Sequence, residues 1–284
     1  MENYFWLVSS ERLKDKLWFR DEEDFKAGMN LVAVGAALKE CDVMAFVLMS
    51  NHVHFILAGE RDSAILFLNR LKTRYSRYFQ KKYGVSALLR KNCVDFRSVH
   101  IGDESFERAL AYVQMNSVAA NICLHPSAYP WGTGDTFFRQ YAPKGIRVGE
   151  MTARSLVRTL HSKVPLPEEY IVDEKGFINP YSYVHVKFVE SVFRTPNRMN
   201  YFLHVSSKAK HLNEGPSFTD QLLVTAIHDL SVSLFKKSGF SELDEKQRAE
   251  ILKQLKRRFS SDPNQLSRVT GLKYETVCNL LDMP

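Results

Sequence analysis

Asn51-His52-Val53-His54-Phe55-Ile56-Leu57 alternates two imidazoles with bulky apolar neighbours inside a β-branched and aromatic run. In a strand, successive side chains point to opposite faces. His52 and His54 are therefore predicted to share one face, with Val53 and Phe55 turned into the other layer. Cys41–Ser50, just upstream, is also strand-like, and Ser50-Asn51 leaves room only for a very tight turn. Two histidines side by side on one strand face can grip one divalent metal ion. The same spacing also occurs on solvated sheet faces, so the tripeptide alone is a weak metal signal.

Outward from this hairpin, Tyr4–Ser9 reads as a first strand. Asp21-Glu22-Glu23-Asp24 places acids at a helix start, and the apolar pattern runs on to Leu38. After the hairpin strand His52–Gly59, a long helix is predicted from about Asp62 to Tyr83, then a strand at Phe96–Ile101. Asp103 is placed to cap a helix over about Glu104–Cys123. The order β-α-β-β-α-β-α predicts an α+β fold: a ferredoxin-like antiparallel sheet with helices on one face. Pro, Gly and Tyr are frequent over Pro126–Gly149, and helices are expected at Thr152–Lys163 and Val184–Phe193. From Ser217 the pattern turns helical, with segments at Asp220–Ser233, Asp244–Phe259, Asn264–Thr270 and Tyr274–Leu281. The predicted divisions are residues 1–143, a connecting region 144–216 of unassigned role, and a helical C-terminal domain 217–284.

The 284 residues carry a net charge of +7, which favours an anionic partner, nucleic acid first. No apolar run approaches a membrane span, the longest lying near Leu31–Leu38 and Val43–Met49. Met1-Glu2-Asn3-Tyr4 lacks the layout of a signal peptide. Cys41, Cys93, Cys123 and Cys278 are scattered without Cys-x-x-Cys spacing, which argues against a zinc site and a disulfide framework. A reducing cytoplasm is the expected location.

Between Asp62 and Asp95 there is no acid and there are eight bases: Arg70, Lys72, Arg74, Arg77, Lys81, Lys82, Arg90 and Lys91. Tyr75, Tyr78, Phe79 and Tyr83 are interleaved with them. Helical spacing favours the core for these aromatics. The single sign of charge favours phosphate contacts, because a merely solvated face usually mixes signs. Further on, Phe106, Ala109, Leu110 and Val113 form an apolar stripe, and Tyr112 and Asn116 stand one turn apart.

On these blocks the sequence resembles the HUH superfamily of single-tyrosine transposases, specifically the REP-associated tyrosine transposase branch. Met49-Ser50-Asn51-His52-Val53-His54 looks like the family's Met-Pro-Asn-His-hydrophobe-His block. Tyr112-Val113-Gln114-Met115-Asn116-Ser117-Val118-Ala119-Ala120 looks like its Tyr-Ile-x-x-Asn-Pro-Val-x-Ala block, and Tyr129-Pro130-Trp131 falls where it has Tyr-x-Trp-Ser-Ser. Together the blocks cover about the first 140 residues. Ser50 and Ser117 stand where the family has proline, and Gly132-Thr133 where it has Ser-Ser.

The resemblance implies that His52 and His54 hold Mg²⁺ or Mn²⁺ with Asn116 as third protein ligand. It implies that Tyr112 attacks single-stranded DNA, giving a 5′-phosphotyrosine and a free 3′-hydroxyl. The implied partner is single-stranded or hairpin DNA at palindromic repeat ends. A monomer and a homodimer are both compatible with it. Two other readings stay open: a domesticated repeat-binding protein that mobilises nothing, and a metal-dependent nuclease that uses water.

Gln265–Leu280 fits a helix-turn-helix, with Gly271 at the turn and Leu266, Leu272, Val277 and Leu280 locking the helices. Lys273, Tyr274, Glu275, Thr276 and Asn279 would face outward to DNA, and Lys246–Arg258 adds six bases against one acid. An ordinary helical hairpin fits the same short pattern.

Overall fold

The computed structural model describes residues 4–10, 17–84, 94–208, 218–259 and 261–283. Arg90, Lys91, Cys93, the first three residues and the 216–217 boundary lie outside the described residues.

β1 (Phe5–Ser9), α1 (Glu22–Ala37), β2 (Asp42–Met49), β3 (His52–Ala58), α2 (Arg61–Tyr83) and β4 (Asp95–Val99) follow in that order. The sheet runs β2-β3-β1-β4 with every pair antiparallel, the arrangement of a ferredoxin-like split unit. Two of these helix boundaries have a local cause. The Asp21 side chain accepts from the Asp24 amide at 2.9 Å and caps α1. Gly84, in the left-handed region at φ 69°, ends α2.

The two sheet faces bury different partners. Val53, Phe55 and Leu57 of β3 join the core with α1 and α2. Ile56 and Ala58 join Phe5, Val47 and Met49 in a second core, against Phe106, Leu110 and Val113 of α3 (Ser105–Gln114). The expectation of helices on one face is thus corrected: α1 and α2 cover one side, and α3 with later helices covers the other. From Phe55 to Ala58 the alternating side chains of β3 are apolar on both faces, so each face must be buried there.

The expected helix to Cys123 is also shorter and broken. α3 stops at Gln114, and α4 spans only Asn116–Ala119. The Asn116 amide nitrogen donates to the carbonyls of Tyr112 at 2.8 Å and Val113 at 3.2 Å, competing with the helix's own ladder.

The chain then returns to seal β2. Trp131 O accepts from Leu48 N at 2.8 Å, Thr133 N donates to Phe46 O at 3.0 Å, and His185 N donates to Val43 O at 3.2 Å. β5 (Ile146–Arg147) pairs with β6 (Ile171–Val172), and α5 (Ala153–Leu160) packs on α1. α6 (Val186–Phe193) and α7 (Pro196–Val205) add Val189, Phe193, Phe202 and Leu203 to the α3 core. The region expected to be a connection therefore contributes to both cores, and α7 has no counterpart among the helices expected from sequence.

α8 (Asp220–Phe235), α9 (Glu245–Phe259), α10 (Pro263–Thr270) and α11 (Tyr274–Asp282) enclose a third core of Leu223, Ile227, Leu252, Leu255, Leu266, Val277 and Leu280. Gly271 between α10 and α11 has φ 72°, as the turn requires. No described helix is long and apolar enough to cross a membrane.

Candidate functional site

His52 and His54 share the α3 face because they alternate with the buried Val53 and Phe55. Their rings stand 4.9 Å apart at 90°. His54 is fully buried and pairs in register with Val47 of β2 and Ser9 of β1. Ser9 in turn pairs with Asp95 of β4, so the row Val47-His54-Ser9-Asp95 crosses the sheet beneath α3. The Asn51 side-chain carbonyl lies 2.7 Å from His52 Nδ1. With Nδ1–H donating to that oxygen, the His52 lone pair would lie on Nε2.

Tyr112 reaches this row from above. Its ring meets His54 edge-on, 5.4 Å between centroids and at 90°. The same helix face carries Ser105, Arg108 and Ala109, spaced three to four residues apart. With Leu7, Asp95, Arg97 and residues of α7 they line a groove of about 620 Å³ along β4. Lys208 lies beyond α7 with its ammonium 4.8 Å from the centre of the Tyr112 ring. Arg97 is exposed in this groove, while Arg108 is held by Glu104 at 2.7 Å. Asn51, Asp95, Arg97 and Lys208 are not among the site residues expected from sequence. Asn51 is within the quoted block, but the others emerge only from strand register and the α7 turn.

The 4.9 Å between the ring centres leaves the two imidazoles near enough for both to reach one ion. Among the described residues no group of three or more His, Cys, Asp or Glu is placed to hold a metal ion. Further ligands would have to be other oxygen donors. Asn116 is buried with its amide nitrogen committed to α3, so its carbonyl oxygen would be the atom free to face an ion.

The bases of α2 lie elsewhere. This helix covers the opposite sheet face, so it does not line the tyrosine groove. Lys72 is only 3 % exposed, which corrects its assignment as a surface phosphate contact. Arg70 pairs with Glu40. Lys82 bonds Asp21 at 2.6 Å and the fully buried Asp24 at 2.8 Å. Burial alone would lower the Lys82 ammonium, but these carboxylates hold it above the ordinary lysine value. Burial and then the Arg70 and Arg77 charges pull Arg74 below the usual arginine value. Arg77 and Lys81 are exposed. Tyr75 and Phe79 are buried, and Tyr78 and Tyr83 donate to Asp24 at 3.1 and 2.9 Å, as core-facing aromatics should.

In the C-terminal helices Lys273, Tyr274, Glu275 and Thr276 are exposed and Asn279 is at the surface, while Val277 and Leu280 are buried. Ser267 bridges the turn through a 2.7 Å bond to Leu272 O.

Residues 16–116 match the family model described as "Transposase IS200 like". The matched span contains both histidines, Tyr112 and Asn116, and leaves α5 to α11 outside. The match supports a likeness to the transposase family over that span, a little over a third of the chain. No curated protein and no solved structure matches the chain.

Proposed function

We propose that this chain is a single-tyrosine DNA transposase of the REP-associated branch, acting on single-stranded or hairpin DNA in the cytoplasm. The observation that carries the reading is the Tyr112 ring set edge-on against His54 within one chain, with His52 beside it.

In this reading the β4 groove takes a single strand, with Arg97 at its open side as a phosphate contact. The Tyr112 oxygen attacks the scissile phosphorus as its proton leaves. The bond from phosphorus to the 3′-oxygen breaks, and that oxygen takes up a proton. The products are a 5′-phosphotyrosine and a free 3′-hydroxyl, and the reverse attack reseals a strand without ATP. His52 and His54, with Asn116, hold Mg²⁺ or Mn²⁺, which when bound stabilises charge building on the phosphate oxygens. Asn51 fixes the imidazole of His52 for that task. Imidazole ligands suit Mn²⁺ at least as well as Mg²⁺.

A monomer and a homodimer are both compatible with this reading. The α11 residues Lys273, Tyr274 and Thr276 would read flanking or repeat-end DNA, and Arg74, Arg77 and Lys81 would form a separate basic surface. The test is a labelled single-stranded oligonucleotide incubated with Mn²⁺ and run on denaturing and native gels. A covalent adduct is expected. Cleavage without an adduct would mean a water-using nuclease, and a native shift alone would mean a repeat-binding protein.

A further inference from the structure

We infer that Asp220 is a positioning residue that ties the C-terminal helices to the histidine turn, so that the presentation of His52 depends on how α10 is held. The inference rests on the proposed function only in taking that turn as part of the working site.

Asp220 opens α8 and is 5 % exposed. Its carboxylate accepts from the Ser50 hydroxyl, from Arg268 Nε at 2.7 Å and Nη2 at 2.9 Å, and from Gln265 at 3.1 Å. Ser50 is the turn residue two positions before His52. Arg268 and Gln265 both belong to α10. One carboxylate thus joins three segments far apart in sequence, and a buried charge is tolerated only while such donors stay in place.

The grip is two-sided. The Ser50 carbonyl accepts from the Trp18 and Phe19 amides at 2.8 and 3.0 Å. The Phe19 carbonyl accepts from Gln221, the next residue of α8, at 2.9 Å. Asn51, between Ser50 and His52, makes the 2.7 Å contact that orients the His52 ring. A shift of α10 is therefore passed through Arg268 and Asp220 to Ser50, and through one more residue to the imidazole. The Ser50 hydroxyl supplies the link from the turn to the helices that follow.

The experiment is hydrogen–deuterium exchange and Mn²⁺ titration of the full chain as wild type, Ser50→Ala, Asp220→Asn, Arg268→Gln and, as a control, Tyr112→Phe. Exchange across residues 48–53 is expected to rise about tenfold in Ser50→Ala and Arg268→Gln, with residues 95–99 and 105–114 unchanged. Mn²⁺ affinity is expected to fall several-fold in the same variants, while Tyr112→Phe leaves exchange as in wild type. Unchanged exchange at 48–53 in Ser50→Ala, or faster exchange confined to residues 218–283, would overturn the inference. Should Asp220→Asn fail to fold, Ser50→Ala still decides. Neither readout uses DNA, so a wild-type chain that forms no adduct would remove the transposase reading and leave this result standing.

Discussion

The rings of Tyr112 and His54 meet at right angles, centroid to centroid 5.4 Å, although the two residues belong to different layers of the fold. Strand alternation puts His54 on the α3 face, and the helical turn from Ala109 to Tyr112 brings the phenol over it. The substitution Tyr112→Phe keeps the ring contact and removes only the hydroxyl. That variant is expected to lose the covalent adduct entirely and to bind single-stranded DNA within about twofold of wild type. A denaturing gel and a native titration check the two halves, and an adduct surviving in the variant would place the nucleophile elsewhere.

Asn51 and the two histidines should separate in severity. On the proposed function, His52→Ala and His54→Ala would each remove a ligand and are expected to abolish Mn²⁺-dependent cleavage. Asn51→Ala leaves both ligands and loosens the His52 ring, so activity should drop roughly 10–100-fold. Part of that loss should be recovered at higher Mn²⁺. A loss that no Mn²⁺ concentration relieves would show that Asn51 does more than orient a ligand.

The clamp between α1 and α2 predicts a pH-dependent stability. Burial alone would raise the Asp21 carboxyl, but Lys82 and then the Asp24 amide hold it below the ordinary carboxylate value. Its contribution is present above that ordinary value and is lost as pH falls through the depressed one. The raised Lys82 contributes fully below the ordinary lysine value and stops contributing as pH climbs through its folded value. Lys82→Met is therefore expected to cost about 2 kcal/mol near neutrality. Urea melts should show that difference shrinking in strong acid.

Gly132→Ser, which restores a residue of the related block, is expected to destabilise. A Cβ there would lie 2.6 Å from Phe46 O and 3.0 Å from Val47 Cα, both backbone atoms of β2. The cost should be about 1–3 kcal/mol, read as a lower melting temperature. Thr133 stabilises the same junction, its hydroxyl oxygen accepting from Phe46 N and its hydroxyl donating to Phe46 O, each at 3.1 Å.

For α11, point substitutions are the right probe, because cutting the chain near residue 260 would strip Leu266, Val277 and Leu280 from the third core. Lys273→Ala should weaken binding of duplex DNA and lower the slope of log affinity against log salt by roughly one. Melting temperature should stay unchanged, since Lys273 is exposed. An unaltered salt slope would remove α11 from the DNA surface.

Much of the front half is legible in the sequence because two simple periodicities govern it. The hairpin, its turn at Ser50-Asn51 and the long α2 follow from alternation and helical spacing, with boundaries shifted by only a few residues. The second helix layer is not legible, because α7 and the α3 core are joined by contacts such as Arg198 with Glu107, 3.0 Å apart but far separated in sequence. The reading of α2 as a phosphate track fails at Lys72 and is weakened at Lys82. Charge sign along a helix does not reveal which bases answer acids brought up by α1. Tyr112, His52 and His54 can be picked out as reactive types, but their meeting depends on sheet order, which no local pattern encodes. Ser50 looks like a tolerated departure from a motif until its bond to Asp220 gives it a partner of its own.

The returning segment from Trp131 to Thr133, with His185, covers the outer rim of β2, whereas β4 ends the sheet on the other side. Main-chain groups at such a rim invite any extended peptide to add itself as a further strand. The β4 rim also lines the cleft that holds Tyr112, so on the proposed function a strand entering that cleft would run along the sheet edge. Solubility and turnover would then be expected to respond together to substitutions at Arg97 and Ser98.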